Sequence, residues 1–326
     1  MNNPMPHAFL SLVPLSAIQR AAERVRGVAR TTPLLAVSSD DEWRHLWVKC
    51  ENLQVGGAFK LRGAYNFMAA LDDGERARGV ITYSSGNHGQ AVAFAARRLG
   101  TSAVVVMPTT AATVKVEGAR ALGAELHFAG TVTLERKAAA EALQRERGLT
   151  MVPPFDDPEI IAGQGTVGLE VIAQQPSVTV VYVPMGGGGL ISGVLAAVKA
   201  LRPDVRVIGV EPAGAAKMST SLGAGRPVTL DRVDSMADGL LAVRPGDLTF
   251  AHVRGLVDDI VKVSEDEIAD AVRFLARHTK IVAEPSGAVS VAGACRLAPP
   301  GASGVHVAVV SGGNIEPARL IELLAG

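Results

Sequence analysis

Short apolar runs rich in β-branched residues alternate with longer segments of helical periodicity along most of the chain. Between residues 78 and 155 the strands are predicted at 80–83, 103–107 and 125–128, and the helices at 87–99, 113–122 and 134–147. Strands that alternate with helices favour a parallel sheet covered by helices. We therefore expect this segment to form a compact α/β unit.

The same alternation resumes at residue 159 and continues close to the C-terminus. Strands are predicted at 178–183, 205–210, 260–263 and 305–310, and helices at 159–173, 189–200, 265–278 and 316–324. Ser264 and Glu267 have the spacing of a capping box at the start of one of these helices. Continuous Val and Ile runs are typical of parallel strands that are buried on both faces.

Together these patterns predict an α/β protein with two doubly wound parallel-sheet domains. Residues 1–77 and 156–326 are expected to form a large domain, and residues 78–155 a small, mobile domain. The length of 326 residues agrees with this division, since a domain averages roughly 150 residues.

Composition and charge exclude several classes of protein. The 32 basic and 32 acidic residues cancel, and only 4% of residues are aromatic, so the basic, aromatic surface of a nucleic-acid-binding protein is not expected. No apolar run reaches the ~20 residues of a membrane span. Two cysteines without CxxC spacing argue against a disulfide framework or a zinc knuckle. The N-terminus has no basic region and no cleavage pattern, so a cytoplasmic protein is expected.

Glycine is the unusual component of the chain. It accounts for 35 of the 326 residues, against ~7% in average usage. Glycine-containing loops at expected strand ends occur at 51–64, 84–90, 184–193 and 311–314. Ligands of open α/β sheets bind at the carboxyl ends of strands, so these loops are the expected site.

A tetraglycine, formed by Gly186, Gly187, Gly188 and Gly189, stands between a predicted buried strand and a predicted helix. Residues without a Cβ let backbone N–H groups face a ligand, and the helix N-terminus adds the positive end of its dipole. This pattern favours an anion site, above all for a phosphate. The alternative is a tight strand-to-helix turn.

Lys60 lies in the segment GGAFKLRGA, between glycines and apolar residues. A lysine in a dry pocket has a lowered pKa and acts as an amine nucleophile or base, whereas the ordinary alternative is a solvated surface lysine. A phosphate site and a buried lysine together suggest a Schiff base to a phosphorylated aldehyde, for which pyridoxal phosphate is the obvious candidate.

Six motifs extend this interpretation over nearly the whole chain, from about residue 18 to 324. In order they are AFKLRGA, SSGNHGQA, GQGT, GGGGL, EPSGA and SGGN. With these motifs the sequence resembles the fold-type II pyridoxal-phosphate enzymes, within them the threonine/serine dehydratase and serine racemase group. The resemblance implies a tryptophan synthase beta-like fold, pyridoxal 5′-phosphate as cofactor and a homodimer.

The resemblance also implies a cofactor site composed of Phe59, Lys60, Asn87, Gly186 to Gly189, Glu284 and Ser311. Lys60 would hold the cofactor as a Schiff base, with Phe59 packed beside it, and the glycines would bind its phosphate. Asn87 would bond the 3′-oxygen of the ring and Ser311 the pyridine nitrogen. Glu284 would lie near the ring, or would simply precede a helix at Pro285.

Substrate binding is assigned by the same resemblance to the loop SSGNHGQ and to Phe155. Backbone N–H groups of the loop, with Ser84 and Asn87, would hold the substrate carboxylate, and His88 would position the loop. Ser85 resembles the acid/base serine of serine racemases; its alternative is an N-cap hydroxyl. Phe155 stands where many racemases have a polar residue, which favours elimination.

The implied reaction is the β-elimination of a β-hydroxy amino acid, with the freed Lys60 amine removing the α-proton. L-threonine would give 2-oxobutanoate and ammonia, and L-serine pyruvate. Alternatives within the family are serine racemase and a dehydratase for threo-3-hydroxyaspartate or phenylserine. The chain ends soon after the last predicted helix, from which we expect no regulatory domain and no inhibition by isoleucine.

A remote alternative is a dinucleotide-dependent oxidoreductase. The strand, the glycine loop, the helix and Glu211 further on imitate a Rossmann unit. Ser192, however, occupies the place of its third glycine, and this alternative leaves Lys60 and the SGGN motif unexplained.

A divalent metal site is left open by the resemblance. Racemase-like members hold the ion with a glutamate, a carbonyl four residues on and an acidic residue two beyond that. The corresponding residues here are Glu211, Ala215 and Lys217. We expect the Lys217 ammonium to reach toward Glu211 and replace the ion; the alternative is an exposed lysine.

Overall fold

The computed structural model describes residues 11–37, 43, 45–84, 86–111 and 113–325. In these ranges the strands are β1 (Leu34–Ala36), β2 (Leu46–Cys50), β3 (Val80–Tyr83), β4 (Ala103–Met107), β5 (Glu125–Phe128), β6 (Thr150–Met151), β7 (Val180–Pro184), β8 (Arg206–Pro212), β9 (Asp259–Val263) and β10 (His306–Val310). The helices are α1 (Leu15–Val25), α2 (Lys60–Ala70), α3 (Asp73–Arg78), α4 (Asn87–Leu99), α5 (Thr113–Ala121), α6 (Thr133–Arg147), α7 (Pro158–Gln174), α8 (Gly189–Leu201), α9 (Lys217–Ala224), α10 (Asp247–Leu256), α11 (Glu265–His278), α12 (Pro285–Leu297) and α13 (Pro317–Ala325).

Two sheets organise these elements. The larger has the strand order β1-β2-β10-β7-β8-β9 and is parallel except for the edge strand β1, which runs antiparallel to β2. The smaller has the order β5-β4-β3-β6 and is parallel throughout. The prediction of an α/β fold with two parallel sheets is confirmed. Every strand of the smaller sheet lies within residues 78–155, which agrees with the predicted domain boundaries; those boundaries stay a prediction.

The ends of the helices follow the local sequence signals. Ser264 Oγ accepts a hydrogen bond from the Glu267 N–H, and the Glu267 carboxylate accepts one from the Ser264 N–H, which is the predicted capping box at the start of α11. Gly100 ends α4 in the left-handed conformation with φ of +69°. Helix α12 escaped the pattern analysis because it is built from small residues that are buried nearly all round, so it has no polar face to reveal a period.

Helices α2, α4 and α7 join the two sheets. Leu61, Ala64 and Met68 of α2 share one apolar cluster with Val92 of α4 and Ile160 of α7. Helix α2 therefore packs against both layers, and the orientation of its first residue, Lys60, depends on both. Within the described residues, no helix combines the length and the apolar character that crossing a membrane requires.

The glycines of the GQGT motif serve helix packing. A Cβ at Gly163 would lie 2.5 Å from the Cα of Gly63, and a Cβ at Gly193 would lie 2.4 Å from the N of Gly165. Because no side chain fits at these points, α7 approaches α2 and α8 backbone to backbone. The glycines of this motif are therefore explained by close helix packing in the core and not by a ligand.

Candidate active site

The Lys60 amine lies where the two sheets meet. The loop before it is fixed to the end of β10, since the Phe59 N–H donates to the Ser311 carbonyl at 3.1 Å. The partly buried Nζ of Lys60 donates to the Pro154 carbonyl at 2.8 Å and lies 5.2 Å from the centre of the Phe59 ring. Burial lowers the pKa of this amine to about 8. A substantial fraction is therefore neutral near pH 8 and able to act as a nucleophile or base.

The tetraglycine lies between the end of β7 and the start of α8, at the carboxyl edge of the larger sheet. A Cβ at Gly187 would lie 2.3 Å from the ring of Phe155, so that ring lies directly against the loop. Pro154 and Phe155 thus connect the two main features of the site: the carbonyl of one holds the Lys60 amine, and the ring of the other covers the glycine loop.

A chain of polar side chains crosses between the layers beside this loop. Asn314 Nδ2 donates to the Asn87 Oδ1 at 2.8 Å, and Asn87 Nδ2 donates to the Glu284 Oε1 at 2.6 Å. Glu284 is buried; this burial, reinforced by the negative charge of Asp238, raises the pKa of its carboxyl to about 7. Gly312 leaves the room for it, because a Cβ there would lie 2.1 Å from the Glu284 Oε1.

Ser311 follows β10 and is buried. Its hydroxyl makes only a long contact of 3.4 Å to the Ser286 carbonyl, so it has capacity for a further partner. A hydroxyl both donates and accepts and brings no formal charge to the group it faces.

The loop that precedes α4 exposes a helix N-terminus to the same cleft. Gly86 is the N-cap of α4 and has no side chain of its own to accept a hydrogen bond from the first turn. The Ser84 hydroxyl accepts from the Gly86 N–H at 3.1 Å and so shapes the loop. Free N–H groups at the start of a helix favour a carboxylate. Ser85, the predicted acid/base residue, lies outside the described residues.

His88 is buried beneath this loop. Its Nε2 donates to the Val152 carbonyl at 3.1 Å, and Nδ1 has no hydrogen-bond partner among the residues that the structure describes. Burial, with the positive charge of Lys60 as a smaller cause, lowers the pKa of His88 to about 3. The imidazole is therefore neutral at physiological pH and ties the loop to residue 152; its positioning role toward a substrate stays a prediction.

A pH-dependent stability follows from His88. Its pKa in the folded chain, about 3, is below the usual 6.5, so this group costs stability as the pH falls from 6.5 toward 3. His88→Gln keeps a donor for Val152 but cannot titrate. We expect the wild type to lose roughly 1.5 kcal/mol more than this variant between pH 6.5 and pH 5, measured by denaturant unfolding. Parallel losses in both proteins would contradict the assignment.

The predicted metal residues are arranged differently from the expectation. The Lys217 Nζ donates to the carbonyls of Ala215 and Leu240, both at 2.7 Å, and makes no hydrogen bond to the Glu211 carboxylate. Both oxygens of Glu211 accept instead from Met218 and Ser219 at the start of α9. No direct hydrogen bond joins Lys217 to Glu211, because the first turn of α9 supplies N–H donors to that carboxylate, although the charge of Glu211 acts on the buried amine. The replacement of an ion by this ammonium stays a prediction. The alternative of an exposed lysine is wrong, because Lys217 is fully buried.

Several residues of the site were missed by the sequence analysis. Asn314 is the last residue of SGGN, and its position after a strand was an available signal. Lys115 and Asp238 form an ion pair across the cleft at 2.6 Å, but they are far apart in the sequence and belong to no motif. The Pro154 carbonyl is a backbone group, and no residue type announces it.

Comparison with known proteins identifies the family. The family model described as "Pyridoxal-phosphate dependent enzyme" matches residues 25–312, and the chain belongs to this family. It is 44% identical over 308 residues to an L-threonine ammonia-lyase of Thermotoga maritima, covering 94% of this chain and 76% of that protein.

Solved structures agree with this assignment. The structure of maize serine racemase matches with a TM-score of 0.90 and 36% identity, covering 97% of this chain and 98% of the other. Processed threonine deaminase isoform 2 from Solanum lycopersicum matches with a TM-score of 0.88 and 37% identity, covering 100% and 99%. The predicted family, fold and cofactor are thereby confirmed, and the dinucleotide alternative is removed.

The residues of the site fit pyridoxal phosphate. The glycine loop at the start of α8 provides a cradle in which side chains are absent, and Lys60 supplies an amine at its edge. The buried Glu284 and the hydroxyl of Ser311 supply polar groups for a heteroaromatic ring. The individual roles of Phe59, Asn87, Glu284 and Ser311 stay predictions.

The conformation of Gly188 gives a test of the cradle. Its φ is +102°, and a Cβ there would lie 2.8 Å from the Cβ of Thr249. Gly188→Ala is expected to displace the loop and weaken cofactor affinity by roughly tenfold or more, since such strain costs ~1–3 kcal/mol. Gly223→Ala is the matched control, because it has no atom within 4 Å of its Cβ position. Equal cofactor affinity of the two variants would contradict the proposed cradle.

Proposed function

We propose that this protein is a pyridoxal-phosphate-dependent ammonia-lyase for β-hydroxy amino acids, with L-threonine and L-serine as substrates. The observation that carries the proposal is the joint position of the Lys60 amine and the glycine loop, linked through Pro154 and Phe155. The relatives named threonine ammonia-lyase and threonine deaminase support the choice of reaction.

When bound, the cofactor supplies an electron sink that stabilises negative charge at the substrate Cα. The remaining tasks belong to the chain. The N–H groups at the start of α8, with the positive end of its dipole, hold the phosphate. Lys60 would hold the aldehyde end of the cofactor through its Nζ, and its neutral amine would take the α-proton of the substrate. Its pKa of about 8 places this amine in the range of an effective base.

Elimination is favoured by the neutral groups around the ring. Ser311 would meet the pyridine nitrogen with a hydroxyl, which would hold that nitrogen without keeping it protonated as a carboxylate would. The N-terminus of α4 holds the substrate carboxylate and so directs the α-proton toward Lys60. The α-proton and the β-hydroxyl leave as water, and the resulting enamine hydrolyses to a 2-oxo acid and ammonia.

Residues 78–155 are proposed to close over the substrate as a small domain. Besides the apolar cluster of α2, α4 and α7, polar contacts join them to the rest of the chain near the cleft, such as Lys115 with Asp238 and Asn87 with Glu284. Closure excludes water and strengthens these electrostatic contacts. We also propose that the protein is cytoplasmic and that it forms a homodimer. Light scattering after gel filtration tests the homodimer.

The decisive experiment is an assay of 2-oxo acid and ammonia release. L-threonine, L-serine, threo-3-hydroxyaspartate and phenylserine are compared as substrates at equal concentration. The proposal expects equimolar 2-oxobutanoate and ammonia from L-threonine, and pyruvate from L-serine. Release from threo-3-hydroxyaspartate or phenylserine alone would assign that amino acid as the substrate in place of L-threonine and L-serine. No release from any of the four would contradict the proposal.

Serine racemase is the second candidate, favoured by the similarity to the maize enzyme. Racemisation needs an acid/base group on the face of the substrate opposite Lys60, for which Ser85 is the candidate. Chiral analysis of serine recovered from the same assay separates the two functions. D-serine formed faster than pyruvate would favour the racemase, and its absence the lyase.

A further inference from the structure

The side chain of Lys217 is completely buried at the start of α9. Its Nζ donates to two backbone carbonyls, those of Ala215 and Leu240, each at 2.7 Å. Burial lowers the pKa of this amine to about 8, and the negative charge of Glu211 opposes that shift. A buried amine that is bonded to carbonyl oxygens near a carboxylate has the surroundings that a bound cation has.

The same residues do not fit a divalent metal ion. Calcium and magnesium need about six or more oxygen ligands, but Glu211 Oε1 accepts from the Met218 N–H at 2.8 Å, and Oε2 from the N–H and hydroxyl of Ser219. The Ala215 carbonyl is used by Lys217 itself. Across the described part of the chain, no group of three or more His, Cys, Asp and Glu side chains is placed to hold a metal.

We propose that the Lys217 ammonium is a tethered cation that holds the turns 213–215 and 238–240 together, so that this chain needs no metal ion there. The ammonium donates to the two carbonyls and places a positive charge near Glu211. Because it is covalently attached, it is present at every cation concentration. This inference rests on the cofactor site and is independent of which amino acid is the substrate.

The 238–240 turn connects Lys217 to the cofactor site by direct contacts. The Cα of Leu240 lies 3.2 Å from the position that a Cβ of Gly186 would take, and Gly239 N–H donates to the Ser286 Oγ at 2.8 Å. Met218 is the neighbour of Lys217, and its Cε lies 3.0 Å from the position that a Cβ of Gly188 would take. Lys217 is therefore a positioning residue for the glycine loop and for the start of α12.

The test compares cofactor release from holoenzymes of the wild type, Lys217→Ala and Lys217→Met. Release is followed by absorbance in a buffer whose only added cation is tetramethylammonium, and again after adding ammonium, potassium or magnesium ions. Truncation leaves two buried carbonyls unpaired, so Lys217→Ala should release the cofactor about tenfold faster or more. The matched control is Lys199→Ala, since Lys199 also donates to a carbonyl, that of Val205 at 2.8 Å, away from the glycine loop.

The proposal predicts rescue of one variant alone. Ammonium or potassium ions should slow release from Lys217→Ala, because a small ion fits the space that the side chain vacates. They should not slow it from Lys217→Met, whose side chain fills that space. Release from the wild type and from Lys199→Ala should be unchanged by these ions and by EDTA. Faster release from the wild type in EDTA, or no rescue of Lys217→Ala by any ion, would overturn the proposal.

A second variant keeps the proposal testable if Lys217→Ala does not fold. Lys217→Asp removes the ammonium, frees the Ala215 and Leu240 carbonyls that it occupies, and adds a carboxylate, so that the variant offers oxygen ligands that the wild type does not. We expect manganese or calcium ions to raise the melting temperature of Lys217→Asp and to leave that of the wild type unchanged. No effect on Lys217→Asp, or an equal effect on both proteins, would overturn the proposal. Neither readout uses lyase activity, so failure of the proposed function would be seen separately.

Discussion

Lys60→Ala is expected to lower the rate of 2-oxobutanoate formation from L-threonine by at least about 10⁴-fold, since the proposed mechanism uses this one side chain as both the covalent anchor and the general base. The visible absorption of the lysine-bound cofactor should disappear as well. Folding should be little affected, because the Lys60 amine makes one hydrogen bond, to the Pro154 carbonyl, and its lowered pKa reflects a cost of burial. Steady-state kinetics and a thermal melt measure the two effects.

Lys60→Arg is the control for charge and hydrogen bonding. A guanidinium can still donate to Pro154 but does not lose its proton near neutral pH, so it should be about as inactive as alanine. If Lys60→Arg kept most of the activity, or if Lys60→Ala kept the visible band, the catalytic assignment of Lys60 would be wrong.

Arg62→Met is expected to destabilise the folded protein by roughly 3–5 kcal/mol, because it removes the guanidinium partner of the buried Glu51 carboxylate. The Arg62 guanidinium donates to Glu51 at 2.7 and 2.8 Å and to Glu170 at 2.6 and 2.9 Å. Burial alone would raise the pKa of Glu51, and the Arg62 charge holds it below its usual value instead. Lys49 adds a second contact to Glu170. Urea unfolding of the holoenzyme measures the loss.

Two controls separate the buried network from a general loss of charge. Arg319→Met removes an exposed ion pair with Glu322 and should cost less than about 1 kcal/mol. Glu51→Gln combined with Arg62→Met should cost less than Arg62→Met alone, since the unpaired charge is then gone. A loss for Arg62→Met as small as that for Arg319→Met would refute the importance of the network.

The architecture was accessible from the sequence because its signals are local. Buried parallel strands are continuous Val and Ile runs, and α11 has its capping box in four residues, Ser264 to Glu267. Short edge strands carry no such signal: β6 has two residues and β1 three. Helix α12 is buried nearly all round, so its sequence lacks the polar stripe that marks a surface helix.

The candidate site was predictable in its parts but not in its connections. Lys60 and the glycine loop stand out through their neighbours in the chain, and the family motifs point to Asn87 and Ser311. The contact between Lys60 and Pro154 spans 94 positions, and that between Lys217 and Leu240 joins two turns of no regular pattern. Such contacts depend on tertiary packing, which no periodicity in the sequence encodes.

The glycine excess has two structural causes, of which the sequence predicted only one. Gly186 to Gly189 and Gly312 leave room at the site, as their positions after strands suggested. Gly163 and Gly193 add to the glycine count in the same way, but they lie where helices pack backbone to backbone. Composition counts both uses alike, and only the structure separates them.

The central claim is that Lys60 carries the cofactor, and borohydride reduction of the holoenzyme tests it most directly. The reagent converts the double bond between the cofactor carbon and the lysine nitrogen into a stable single bond, so the modified lysine can be found by peptide mass analysis. We predict one cofactor mass per chain, on the peptide that contains Lys60, together with loss of activity. The cofactor mass on any other lysine, or on none while activity is lost, would contradict the account.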